Sequence, residues 1–366
     1  MEVLNIKDAQ AYINNRKVVF ITGVTGQDGS HLVDYLLKTT DHFIIGGVRR
    51  LSIKNHENIQ HIKSDRFKLV NFDLSDVHSI NKIVQELKPD YFINLAAQTF
   101  VGSSWDFPSQ TWECNTTGVI HILEAIRQHK PSCRFYNAGS SEEYGNVVYS
   151  PQDENHPLKP RSPYGASKAA ARLIVKVYRE SYNLYAIQGL LFNHEGVRRG
   201  EEFVTRKVTK GVARIKQAIL DGKSFEPIEL GNVKARRDWS DAEDFVEGIW
   251  LMLNQDVPRE YVLSSNETHT IEEFVYHAFK AAGIEGGWHG EAELAEFSIT
   301  TQDAIRYDPV ASVLVKINPK FYRPAEVDLL LGDSTKARTE LKWSPKTSFE
   351  QLVEKMVKSD LRQIGL

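Results

Sequence analysis

From Lys17 onward, short runs rich in β-branched and aromatic residues alternate with longer amphipathic stretches, and few folds accommodate that rhythm. The expected strands are Val18–Thr22, Phe43–Val48, Phe67–Asp73, Tyr91–Ala96 and Arg134–Gly139. Between them lie HLVDYLL, SINKIVQEL and TTGVIHILEAIRQH, which read as helices. Such alternation implies βαβ units around a parallel sheet buried on both faces, so the fold class is α/β and doubly wound. A long helix is expected from about Ser162 to Tyr182, then a strand near Tyr185–Leu191. Past Asn193 the rhythm breaks at Arg198-Arg199-Gly200, Gly222-Lys223 and Gly231-Asn232, while DAEDFVEGIWLMLN and YVLSS look like a return to the sheet. The expected division is a large domain, 1–192 with a returning segment of about 238–266, and a smaller discontinuous α/β domain, 193–237 and 267–366.

Composition excludes several classes. The 366 residues allow two or three units at roughly 150 residues each. With 45 Lys and Arg against 48 Asp and Glu, the net charge is −3, so no nucleic acid partner is expected for the chain as a whole. Two cysteines, Cys114 and Cys133, cannot build a disulfide scaffold and suit a reducing compartment. The first residues, MEVLNIKDAQAYINNRK, lack an apolar signal core, and no apolar run approaches the roughly 20 residues that span a bilayer. A cytoplasmic chain with no membrane partner is expected.

Directly after the first of these strands stands Gly23-Val24-Thr25-Gly26-Gln27-Asp28-Gly29, and a helix pattern follows. Gly23, Gly26 and Gly29 let the backbone turn tightly and approach a pyrophosphate, while the helix behind offers free N–H groups and its positive dipole end. At the head of a βαβ series this reads as the dinucleotide site of a Rossmann-type sheet, with Gln27 and Asp28 as polar groups at the helix start. The next strand ends in Arg49-Arg50, where NAD binders usually carry an acid. Guanidinium groups suit the 2′-phosphate of NADP, and charge-assisted bonds of about 1.5–3 kcal/mol each give at least tenfold preference. A solvated arginine pair is the competing reading. Asp73 and Leu74 stand where an adenine contact belongs, and Leu95, in the following strand, joins the candidate cofactor residues.

Tyr164-Gly-Ala-Ser-Lys168 opens the long helix, so tyrosine and lysine lie one turn apart on one face. A lysine beside a phenol favours the phenolate, as an acid–base tyrosine requires. Tyr276 and Lys280 share the spacing but lie far from the glycine loop, on what reads as an ordinary helix face. Tyr164 follows a strand ending in Ser140-Ser141-Glu142-Glu143-Tyr144-Gly145, and ligands of doubly wound sheets bind beyond the carboxyl ends of strands.

With these residues in view, the chain resembles the extended short-chain dehydrogenase/reductase superfamily. Ser140-Ser141-Glu142 is similar to the pattern of its GDP-mannose 4,6-dehydratases. So are Asn193-His194-Glu195, Arg198-Arg199-Gly200, Phe203-Val204-Thr205-Arg206-Lys207, Gly231-Asn232, Arg237-Asp238-Trp239 and Arg323-Pro324-Ala325-Glu326-Val327. The resemblance runs from Lys17 nearly to the C-terminus. It implies an NADP-dependent lyase acting on a GDP-sugar as a homodimer or homotetramer. Tyr164 would take the proton of the sugar 4-hydroxyl, Ser140 would hold that oxygen and Lys168 would support the tyrosine. Glu142 would act as base at C5 and then as acid for the departing 6-hydroxyl. Ser104, Asn193, Val204, Lys207, Arg237, Arg323 and Glu326 would bind the substrate.

Three departures qualify the likeness. Glu143 stands where the family usually has an apolar side chain. Leu51-Ser-Ile-Lys-Asn-His56 replaces a Ser-rich loop that reaches a neighbouring subunit, and Gly196-Val197 replaces Ser-Pro, expected beside the sugar pocket. The last change leaves open a different GDP-sugar such as GDP-manno-heptose. A C4 dehydrogenase or epimerase, and a non-catalytic NADP-binding scaffold, also remain open. His194 has no histidine or cysteine partner at ligand spacing, so it reads as structural and no metal is expected.

Overall fold

The computed structural model describes residues 2–51, 55–300, 313–322, 327 and 329–366. In chain order, the strands are β1 (Val3–Leu4), β2 (Val18–Thr22), β3 (Phe43–Val48), β4 (Phe67–Asn71), β5 (Tyr91–Asn94), β6 (Arg134–Ala138) and β7 (Ala186–Leu191). They form a parallel sheet in the order β1-β4-β3-β2-β5-β6-β7, and Val262–Leu263 adds an eighth strand beside β7. From β2 the chain winds outward through β3 and β4, then returns to wind the other way through β5, β6 and β7. The crevice between β2 and β5 is thus the topological switch point of a Rossmann-type α/β fold.

Alternation along β2 shows why both faces are apolar. Val19 and Ile21 pack with Leu32 and Leu36 of helix Gln27–Thr39 and with Ile249 of helix Ala242–Leu253. Val18 and Phe20 face Ile83, Ile122 and Val175, from helices Val77–Leu87, Gly118–His129 and Pro163–Tyr182. The long helix starts sharply because Pro163 occupies its first turn and Ser162 Oγ accepts the Gly165 N–H at 3.0 Å.

A separate core is built from late segments. Helices Val204–Leu220, Ile271–Ala281 and Phe349–Gln363 bring Val212, Phe279 and Met356 together over a small sheet. That sheet takes its strands in the order Gly286–His289, Glu296–Ile299, Val313–Ile317 and Ile228–Leu230. Between this core and the carboxyl ends of the large sheet lies the main cleft. Among the described residues, no helix is long and apolar enough to cross a membrane.

The strand starts agree with the alternation in the sequence. Three ends come earlier than expected, at Asn71, Asn94 and Ala138, and β1 is an addition that the sequence pattern does not show.

Candidate active site

The glycine loop has the geometry that a dinucleotide needs. Gly23 sits at φ +66°, and a Cβ there would come within 2.8 Å of Ala96 N, so this turn excludes other residues. A Cβ on Gly29 would drive into the Gly23 carbonyl and within 2.6 Å of Val24 Cα. Overpacking of that kind costs about 1–3 kcal/mol. Gly29→Ala is therefore expected to lower the melting midpoint by several degrees, about 2–4 °C per kcal/mol, and to weaken dinucleotide affinity. A calorimetric scan and a binding titration check this; wild-type values in both would refute the close packing of the loop. Gly26 caps helix Gln27–Thr39 without any side-chain acceptor, leaving the first-turn N–H groups for an anion.

Gln27 and Asp28 turn toward the strand Asn193–Glu195. Gln27 Nε2 donates to His194 O at 3.0 Å, and His194 Nε2 lies 2.8 Å from Asp28 Oδ2. The other ring nitrogen is 2.8 Å from Phe192 O. Both His194 partners accept only, so the ring carries two protons. Burial pushes the Asp28 carboxyl up, but His194 and Arg199 outweigh it and hold the group at about 2. At His194 burial acts downward, Asp28 overrides it, and the net direction is up.

Arg49 is exposed just past β3, and both Arg49 and Asp73 lie near enough to act electrostatically on the Cys114 thiol. Asp73 Oδ1 accepts from Ser75 N and Oγ at 3.0 and 2.7 Å, and Leu74 is buried against Gly118. The glycine turn and Arg49 thus share the edge formed by the carboxyl ends of the neighbouring strands β2 and β3.

Beyond it opens a cavity of about 570 Å³ whose wall includes Asp28, Leu95, Ser140, Glu142, Tyr164 and Lys168. Ser140 begins a short turn, Ser141–Glu143, and its Oγ accepts the Glu142 N–H at 3.2 Å. The Ser140 hydroxyl lies close enough to the Tyr164 phenol to pull its pKa down. Glu142 lines the cavity, whereas Glu143 is fully buried behind it. The second Tyr–Lys pair shows why spacing alone is a weak guide. Lys280 Nζ lies 5.8 Å from the Tyr276 ring and Lys168 Nζ 5.9 Å from the Tyr164 ring, but Tyr276 is 43% exposed and Tyr164 8%.

At this pair burial outweighs the lysine's expected effect on the tyrosine, and Lys168 Nζ donates to Ala138 O at 2.8 Å. Burial pushes the Tyr164 phenol up to about 12, with Ser140 pulling the other way. Burial also lowers Lys168 to about 8, against the pull of Glu143 and Asp28. Without a further positive charge, this phenol stays protonated near neutral pH.

Asn193, Val204, Lys207 and Arg237 line the same cavity. Lys207 Nζ stands 3.7 Å from the Phe321 ring centre, and Arg237 Nη1 donates to Val327 O at 2.7 Å. Ser104 is not on this wall. It is fully buried with its Oγ donating to Val101 O at 2.6 Å, because the turn before its helix consumes the hydroxyl. Gly196 also lies elsewhere than its motif position implies. A Cβ there would lie 3.5 Å from Gln27 Oε1 and 3.9 Å from His31 Nε2, so Gly196 sits against the glycine-loop helix and off the cavity wall. Arg323 and Glu326 lie outside the described residues.

His194 and Arg199 are among the cavity residues that escape sequence reasoning. His194 reads as structural for want of a metal-ligand partner, and Arg199 stands out only as part of Arg198-Arg199-Gly200. Both are on the wall, with the Arg199 guanidinium 3.5 Å from the Phe203 ring centre and 2.9 Å from Glu195 Oε2. Among the described residues, no group of three or more His, Cys, Asp or Glu could hold a metal.

A dehydrogenase-type cleft at the switch point of a Rossmann-type sheet, closed by a second core, is the architecture of the extended short-chain dehydrogenases/reductases. The family model described as GDP-mannose 4,6 dehydratase matches residues 20–356. The chain belongs to the GDP-mannose 4,6-dehydratase family, whose members are hydro-lyases. A GDP-mannose 4,6 dehydratase of Drosophila melanogaster is 45% identical, covering 94% of this chain and 86% of the relative. The protein of that name from Homo sapiens is 41% identical, covering 94% and 92%. In three dimensions the chain is similar to a dTDP-glucose 4,6-dehydratase from Streptomyces venezuelae with NAD and TYD bound. The TM-score is 0.77 at 22% identity, covering 95% and 98% of the two chains, and this likeness concerns the fold.

Proposed function

We propose that this chain converts GDP-mannose to GDP-4-keto-6-deoxymannose with NADP as a regenerated cofactor. One observation carries the reading: Glu142 and the Ser140–Tyr164 pair line a single cavity together with the cations Lys207 and Arg237. A redox site alone needs no second carboxylate, and a diphosphate needs cations. The large sheet, with the returning segment near 238–266, would hold the cofactor; 193–237 and 267–366 would hold the sugar nucleotide.

Gly23, Gly26 and Gly29 would admit the pyrophosphate, Arg49 the 2′-phosphate, and Asp73, Leu74 and Leu95 the adenosine side. When bound, oxidised NADP supplies the hydride acceptor at sugar C4 and the donor at C6, and its positive ring favours the Tyr164 phenolate. Tyr164 takes the 4-hydroxyl proton while Ser140 holds that oxygen and Lys168 supports the tyrosine. The resulting 4-ketone acidifies the C5 hydrogen, which Glu142 removes. The carboxylic acid so formed would then protonate the 6-hydroxyl as it leaves as water. As C6 takes back the hydride, C5 would take a proton from solvent while Tyr164 releases the proton it took from the 4-hydroxyl. Asn193 and Val204 border the sugar, and Lys207 and Arg237 neutralise the diphosphate, with Arg323 and Glu326 assigned to the nucleotide by resemblance alone.

Arg49→Ala is expected to weaken NADP by about tenfold relative to NAD, the loss of one charge-assisted contact. Parallel titrations with the two dinucleotides check this, and an unchanged ratio would remove Arg49 from the site. Two copies would pair through the long helix, which exposes Leu173, Val177 and Tyr182. With Gly196 off the cavity wall, the change at Gly196-Val197 gives no support to a heptose over GDP-mannose. Incubation with NADP and either GDP-mannose or GDP-manno-heptose tests the assignment. GDP-mannose should lose the mass of one water without net NADPH. Loss from the heptose alone would change the substrate. Bound NADP with no change in either sugar would favour a scaffold.

A further inference from the structure

Among the buried carboxylates that the mechanism leaves unused, Glu143 sits next to Glu142 on the Ser140 turn. Glu143 is fully buried, and its Oε1 accepts the Ser140 backbone N–H and Gln188 Nε2, both at 2.8 Å. Its Oε2 is buried with no hydrogen-bond partner among the described residues. Gln188 Nε2 also donates to the Lys168 carbonyl at 3.1 Å. On its other side Gln188 joins a row of side chains that crosses the sheet. Gln188 Oε1 accepts from Asn137 at 2.7 Å, Asn137 from Asn94 at 2.8 Å, and Asn94 from Thr22 at 2.6 Å. The Thr22 hydroxyl in turn accepts the Leu95 and Ala96 N–H groups.

The Ser140 turn, the lysine-bearing helix and the loop after β5 are therefore tied to one buried rail that ends at Glu143. An apolar residue, which the family usually carries here, would fill the space but could accept neither N–H. For structure alone, a buried carboxylate with an unpartnered oxygen is a poor choice. We infer that Glu143 is a positioning residue: it holds the Ser140 turn against Tyr164 and supplies the counter-charge to Lys168.

The charged and titratable groups around it are Glu142 and Tyr144 on its own turn, Tyr136 on β6, and Tyr164, Lys168 and Arg172 on the long helix. Burial pushes the Glu143 carboxyl up to about 7 against Arg172, Ser140 N–H, Gln188 and Lys168, so its charge changes within the working range of an enzyme. The charged form raises the pKa of both Tyr164 and Lys168.

The inference rests on the dehydratase reading, and the test separates the two. Turnover of GDP-mannose with NADP is measured against pH for the wild type, E143Q and E143L, with calorimetric binding of NADP and GDP as a control. E143L should lose about tenfold or more in kcat at unchanged KM and unchanged binding, because the Ser140 turn is no longer held. E143Q keeps an acceptor for both N–H groups and should recover most of kcat. Its acid limb should move down by about one pH unit, since a negative charge near Tyr164 is gone. Wild-type levels and profiles in both variants would overturn the inference while leaving the dehydratase reading intact. Equal losses in both, without a shifted limb, would reduce Glu143 to a structural part. A wild type without turnover would overturn both readings.

Discussion

Glu142→Gln should abolish dehydration while both nucleotides still bind. A positioned general base is worth about 10²–10⁴-fold, and turnover of the variant is expected to fall by that factor. Glutamine keeps the shape and the backbone bond to Ser140 Oγ, so the turn is preserved and only the proton acceptor is lost. Product mass over time and calorimetric Kd values for NADP and GDP-mannose check both halves. Equal turnover would transfer the C5 proton to another group. Glu143 is the neighbouring carboxylate, but its burial behind the cavity wall denies it the substrate.

Tyr164→Phe should cost a comparable factor, at the earlier step. Burial holds the free phenol at about 12, so near neutral pH the phenolate fraction grows about tenfold per pH unit. Turnover of the wild type should accordingly rise along its acid limb, at a pH lowered by the positive ring of the bound cofactor. The phenylalanine variant should lose that limb along with its rate, because no titrating oxygen remains. A phenylalanine variant that keeps the wild-type profile would show that another group takes the 4-hydroxyl proton.

How much of this was legible in the sequence follows from how local each feature is. Strand starts could be read because β-branched runs begin abruptly after polar segments. The end of β4 could not, since the Asp73 side chain accepts from Ser75 and draws the chain off the ladder two residues early. β1 has only two residues, Val3 and Leu4, paired to Leu69 and Val70, and leaves no periodic trace. Tyr164 and Lys168 were legible as one turn of one helix. The partner that occupies Lys168 was not, because Ala138 is 30 residues away and offers only a carbonyl. The same distance effect hid Glu143, whose partner Gln188 lies 45 residues on. Gly196 and Ser104 show the opposite error. Motif position puts them near the sugar, and local backbone geometry turns them elsewhere.

Sequence pattern thus located the cavity, and packing decided which of its neighbouring groups face inward. The central claim is that C4 and C6 of one sugar exchange a hydrogen within this cavity, with no external reductant. The direct measurement supplies GDP-mannose carrying deuterium at C4, with NADP and the purified protein, and locates the label in the product by NMR. The expected product is lighter by one water, with the deuterium on C6 and a solvent hydrogen at C5. Deuterium lost to solvent, or still at C4 in a product that has lost water, would contradict that claim.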